Sequence, residues 1–208
     1  MMSFGNNASD RRIDTARMPA VLVVTGPSGA GKGTLIRELV ERVPGIEVTV
    51  SATTRERRRA EEDGREYWFL SDKDFTERVA RGDFLEHVEF SGHRYGTLRS
   101  ELDRIAANGH VPLLELETEG ALRVKHELPG AVTIFIAARV DELERRLRER
   151  ATESSGEIHE RIELARKQLD QAGEFDQVIE NDDLERAVGE LTTLVRGLIG
   201  ATATMPRR

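Results

Sequence analysis

The stretch Gly26-Pro27-Ser28-Gly29-Ala30-Gly31-Lys32-Gly33-Thr34 constrains this chain more than any other, because it joins the apolar run Ala20-Val21-Leu22-Val23-Val24 to a helical pattern. Leu35, Leu39 and Val43 recur at helical spacing behind it. A buried strand, a glycine-rich loop and a helix N-terminus in that order form a cradle for nucleotide phosphates. Successive backbone N–H groups and the helix dipole converge there on one anion. Lys32 adds positive charge near the β- and γ-phosphates. The usual pattern has Ser or Thr directly after the lysine, whereas here Gly33 takes that place and Thr34 follows. The phosphate-binding candidates are Gly26, Ser28, Gly29, Ala30, Gly31, Lys32, Gly33 and Thr34.

At 208 residues the chain is long enough for one sizeable core with small inserted lobes. Charged residues make up 33% and aromatics only 5%, the profile of a soluble protein with a heavily ionised surface. The net charge of −7 argues against general nucleic-acid binding, which normally needs a basic surface. There is no cysteine, which removes disulfides, thiol catalysis and cysteine-ligated metals and is compatible with a reducing, cytoplasmic setting. Residues 1–18 are polar, lack an apolar core and read as a disordered tail rather than a secretory signal, and 201–208 as a second tail. No apolar run approaches the ~18 residues of a membrane span.

Strand-like and helix-like segments alternate, which predicts an α/β chain with a mostly parallel sheet covered on both faces, a three-layer P-loop fold. Strands are expected at 20–25, Val111 to Leu116, Ala131 to Ala137 and Val178-Ile179, and helices over 32–43 and from about Asp183 to Leu198. Two stretches interrupt this rhythm. Residues 53–97 are arginine-rich and then aromatic, with strand-like runs at Tyr67 to Leu70 and Phe84 to Phe90 around one short helix, and read as an inserted α+β lobe. Residues 143–170 read as two charged helical segments joined by the small polar linker Ala151 to Gly156, a hairpin suited to a helical lid. The core of the domain at 19–200 is then 19–52, 98–142 and 171–200.

The second chemical signal is Ser51-Ala52-Thr53-Thr54-Arg55-Glu56-Arg57-Arg58-Arg59. Guanidinium groups three residues apart, preceded by hydroxyls, can grip a second phosphate through charge-assisted, partly bidentate bonds. Taken alone, such a run is an ordinary solvated loop; within one lobe of a phosphate-loop protein it points to an acceptor.

At these residues the chain resembles the guanylate kinase family of P-loop nucleoside monophosphate kinases. The resemblance runs from about Ala20 to the C-terminal helix through the loop, Ser51-x-Thr-Thr-Arg55-x-x-Arg58, Gly64 with Tyr67, Phe84-Leu85-Glu86-His87, Tyr95-Gly96-Thr97, Arg145-Arg146-Leu147-Arg148-x-Arg150 and Asn181-Asp182-Asp183. It implies phosphoryl transfer from ATP to GMP, and to dGMP, with Mg²⁺ accompanying ATP. Ser51, Arg55, Arg58, Tyr67 and Tyr95 resemble the grip on the acceptor's phosphate, and Glu86, Thr97 and Glu117 the contacts to guanine. A carboxylate accepts from both N1–H and the exocyclic amine of guanine, whereas adenine presents an unprotonated N1. Lys32, Arg148 and Arg161 resemble the catalytic cations, with Arg145 and Arg150 as neighbours, and Asn181 the residue near the adenine of ATP.

Three positions depart from the family pattern. Gly33 removes the hydroxyl that usually helps hold Mg²⁺. Glu115-Leu116-Glu117-Thr118-Glu119-Gly120 replaces the usual Asp-x-Asp followed by Gln-Gly, so the metal-side and base-side carboxylates are each one methylene longer. Glu115 is the candidate metal-side residue, acting mostly through water. Arg59-Ala60 stands where Pro-Gly is usual. These departures leave open a specialised kinase for another or modified phosphorylated acceptor, and a noncatalytic interaction module stands as the reading from a different class. Oligomeric state is not legible.

Overall fold

A computed structural model describes residues 21–90, 92–149 and 155–200. In chain order its elements are β1 (Val21–Thr25), α1 (Lys32–Arg42), β2 (Ile46–Val48), β3 (Ala52–Thr53), β4 (Trp68–Phe69), α2 (Asp72–Arg81), β5 (Phe84–Phe90) and β6 (His93–Leu98). There follow α3 (Arg99–Ala107), β7 (Val111–Glu115), α4 (Thr118–Glu127), β8 (Ala131–Ala137), α5 (Val140–Glu149), α6 (Ser155–Asp170), β9 (Gln177–Glu180) and α7 (Leu184–Gly200). The two tails read from the sequence lie outside the described residues, as do residues 151–154 of the expected linker.

One sheet has the order β2-β7-β1-β8-β9, and every pairing in it is parallel. All five residues of β1 are buried, so the strand feeds two cores at once through the period-2 alternation of its side chains. Leu22 and Val24 pack with Leu35 and Leu39 of α1 and Leu191 and Val195 of α7. Val21 and Val23 pack on the other face with Ala121 and Val124 of α4, Phe135 and Phe175. The mostly parallel, three-layer α/β arrangement expected from the sequence is therefore present. Because β1 lies between β7 and β8, the chain leaves it at a topological switch point, the place where α/β sheets generally bind ligands.

The second sheet has the order β4-β3-β6-β5 and mixes one parallel with two antiparallel pairings. Its small core is Ala52, Phe75, Phe84 and Leu98, with Phe75 and Phe84 stacked at 4.4 Å between centroids. Ser71 caps α2 by accepting from Asp74 N, and Gly82 closes that helix in the left-handed conformation. This sheet begins at Ala52 and ends at Leu98, one residue beyond the sequence reading at each end. Strands β2 and β6 and helix α3 carried no clear signal. The first has three residues, the second contains Gly96, and α3 buries only Glu101 and Ile105.

Candidate active site

The loop after β1 is shaped by two glycines. At Gly26, φ is +141° and a Cβ would stand 2.2 Å from the Ile136 carbonyl oxygen of β8, which excludes any side chain. At Gly31, φ is +87° and a Cβ would meet the Asn181 amide at 2.5 Å. That amide donates to the Ala30 carbonyl at 2.7 Å, and Asn181 is itself buried. The residue placed by sequence near the adenine thus braces the loop from beneath. Gly31 is the N-cap of α1, with no side-chain cap and no acidic residue in the first turn, so the helix end keeps its anion-attracting character. Lys32 Nζ donates back to the carbonyls of Gly26 at 2.7 Å and Pro27 at 3.3 Å, which holds the ammonium over the loop. A Cβ at Gly33 would meet nothing within 4 Å.

Glu115 ends β7 opposite Val24, beside the loop. Its carboxyl is pushed up chiefly by desolvation, with the Glu117 charge adding and the Lys32 charge opposing. Among the described residues no group of three or more His, Cys, Asp or Glu is arranged to hold a metal.

Just beyond β3, Arg55 is clamped. Its guanidinium donates to Glu61 Oε1 at 2.8 Å and to the Glu56 carbonyl at 2.8 Å, and lies 5.4 Å from the centroid of Tyr67. The second oxygen of Glu61 accepts from the Arg58 backbone N–H at 2.8 Å. The Arg55 bond above all, then the Arg58 one, holds Glu61 below the ordinary carboxylate range. The Arg58 side chain stays exposed, so Arg55 alone of the expected pair is fastened in place. Tyr67 and Tyr95 meet edge-on at 6.0 Å. Burial above all raises the Tyr67 phenol, with Tyr95 adding to the rise and the Arg55 charge opposing it. Ser51 is half-buried, its carbonyl accepting from Trp68 N at 2.9 Å.

Glu86 is buried, and its Oε1 accepts both Thr97 N at 3.0 Å and Thr97 Oγ1 at 2.9 Å. Desolvation pushes its carboxyl up, against the Thr97 bonds and the charge of Arg123. Its Oε2 borders Gly120, where a Cβ would stand 3.4 Å away. Gly120 lies in the first turn of α4, and Glu117 is the N-cap of that helix. The two carboxylates assigned to the base by resemblance therefore flank one helix end.

Of the expected lid cations, Arg161 donates to Ser28 Oγ in the phosphate loop. Arg148 does not reach the loop; its side chain is 66% exposed and pairs with Glu144 at 2.5 Å. Arg146 takes that place, donating to the Gly29 carbonyl at 3.1 Å and to Glu142 at 2.8 Å. The reason is helical: Arg146 follows buried Leu143 by three residues and shares its face, whereas two further residues turn Arg148 by about 200°. Arg145 also pairs with Glu142, at 2.6 Å, and together the two arginines hold that carboxyl down at about 2. Arg150 lies outside the described residues. Sequence reading named Arg146 only inside the resemblance, without a role, and gave none to Glu61 or Gln168; the spacing from Leu143 was a further signal for the first.

Comparison with known proteins agrees with this layout. The family profile described as guanylate kinase matches residues 18–198. A guanylate kinase of Synechococcus sp. (strain CC9311) is 49% identical over 170 residues, covering 81% of this chain and 90% of that protein. One from Prochlorococcus marinus (strain MIT 9313) is 46% identical over 174 residues, covering 83% and 92%. The crystal structure of guanylate kinase from Anaplasma phagocytophilum superposes with a TM-score of 0.68 at 27% identity, covering 88% of this chain and 87% of that one.

Proposed function

Because the chain belongs to the guanylate kinase family, we propose that it transfers the γ-phosphoryl group of ATP to GMP, and to dGMP, giving ADP and GDP or dGDP. The observation that carries the acceptor assignment is the buried Glu86 carboxylate, fixed through one oxygen by Thr97 with the other bordering α4. Ionised, it accepts from guanine N1–H and the 2-amino group, with Glu117 beside it; adenine offers an acceptor at N1 and is rejected.

The remaining roles follow from position. In this reading the sheet around 53–97 is the acceptor lobe, and 143–170 is the lid. The loop amides and Lys32 bind the donor phosphates, braced by Asn181. Arg55, Tyr67 and Tyr95 hold the acceptor phosphate, with Ser51 and Arg58 at its edge, while the aromatic rings exclude water. Transition-state charge spreads over the equatorial oxygens of the transferring group, so cations that close on the loop lower the barrier. Arg146 and Arg161 fill that role here. Glu115, beside the loop, would hold Mg²⁺ accompanying ATP, mostly through water, and the ion would supply further charge neutralisation at the donor phosphates. No helix among the described residues is long and apolar enough to cross a membrane. A cytoplasmic setting belongs to this proposal, since charged nucleotides do not cross a bilayer unaided.

A panel of GMP, dGMP, AMP, UMP and CMP in a coupled ADP-release assay tests the reading. Preference for the two guanine nucleotides is expected, and equal turnover across the panel overturns it.

A further inference from the structure

Helix α6 touches both halves of the site along one face. Arg161 and Gln168 are seven residues apart, two turns of helix and about 10 Å along its axis. Ile162 and Ala165 lie buried between them and seat that face against the protein. At one end Arg161 donates to Ser28 Oγ of the phosphate loop. At the other, Gln168, only 8% exposed, donates from Nε2 to Glu117 Oε2 at 3.4 Å. Glu117 is the N-cap of α4 yet makes no side-chain cap bond, so its own helix does not set the direction of its carboxylate.

We propose that Gln168 is a positioning residue for the acceptor base: its amide orients Glu117 toward guanine, and through α6 it ties that orientation to the seating of Arg161 on the phosphate loop. This rests on the reading that Glu117 borders the acceptor base. The chemistry suits an amide. Glu117 is one methylene longer than the usual aspartate and has more rotamers to lose, so a buried neutral donor that selects one of them favours binding without adding charge. A carboxylate at the same position would face Glu117 as a like charge and a second acceptor, with nothing to donate to it.

Two variants test this, with ATP and GMP as the probes. Gln168→Met keeps side-chain length and burial but removes the donor. It is expected to raise KM for GMP about three- to tenfold, with kcat falling less than KM rises and KM for ATP within about twofold. Gln168→Glu keeps the length but sets a second acceptor against Glu117, and should raise KM for GMP at least as far as Gln168→Met does. A wild-type KM for GMP in Gln168→Met or in Gln168→Glu overturns the proposal. Glu117→Ala separates it from the reading beneath it. If that variant keeps wild-type KM and guanine preference, the base assignment itself fails; if it weakens GMP while Gln168→Met does not, only the role of Gln168 fails.

Discussion

Asn181, at the end of β9, donates its side-chain amide to the carbonyl of Ala30 at 2.7 Å and so ties the last strand of the sheet to the phosphate loop. The bond is buried, and no room remains beside it for a side chain at position 31. Removing the donor leaves a buried carbonyl unpaired, at a cost of about 1–3 kcal/mol. Asn181→Ala should therefore melt at lower temperature and bind ATP more weakly, with GMP binding affected less. Separate titrations of the two nucleotides check this; equal loss for both would place Asn181 outside the donor half.

Arg146 and Arg148 should separate sharply in kinetics. Arg146 lies on the loop carbonyl of Gly29, so Arg146→Ala should lower kcat about 10²–10³-fold, the scale for losing one preorganised donor to transition-state charge. Arg148 has an exposed i,i+4 pair with Glu144, so Arg148→Ala should leave kcat nearly intact and cost at most about 0.5 kcal/mol in stability. Steady-state rates of the two variants under saturating substrates decide between these faces of α5.

The Glu86 carboxyl is raised by burial, and that shift has a sign for stability. A carboxyl whose folded pKa lies above its unfolded value, near 4.3, penalises the folded state only when ionised. The penalty is absent at low pH, appears as pH rises through the unfolded value, and is complete above the folded one. Glu86→Gln, which keeps an oxygen for Thr97, should thus gain stability over wild type as pH is raised, and the gain should vanish in acid. Thermal melts across that range check the sign. The same variant should lose discrimination against AMP, because its amide can donate to the unprotonated N1 of adenine.

Open space at Gly33 permits a hydroxyl there without a clash. Gly33→Ser should fold, gain up to about 0.5–1 kcal/mol from replacing glycine in a helix, and reach half-maximal rate at lower Mg²⁺. Glu115→Gln should shift the Mg²⁺ requirement in the opposite direction. Rate measured against Mg²⁺ at fixed ATP tests both, and unchanged midpoints would remove position 33 and Glu115 from the metal site.

Much of the fold was legible before any coordinates. The apolar run of β8 spans Ala131–Ala137 as read, and β1, α1, β7, β9 and α7 lie within a few residues of their expected bounds. Each is long or periodic enough to carry its own signal. Strand β3 has two residues and β4 two, and they exist because Ala52 pairs with Trp68 on one side and Gly96 on the other. No local pattern encodes that pairing.

The sequence by itself determined the glycine-rich loop, the parallel strands that present it and the arginine, tyrosine and glutamate types on which the proposed reaction draws. Those follow from local chemistry, in which spacing along the chain equals spacing in an element. Tertiary structure alone decided which arginine of α5 turns toward Gly29, that Asn181 braces the loop rather than standing free beside it, that Glu61 fastens Arg55, and that Gln168 meets Glu117. Each of those depends on how one element docks against another, and a rotation of one helical residue, about 100°, is enough to exchange a buried contact for solvent.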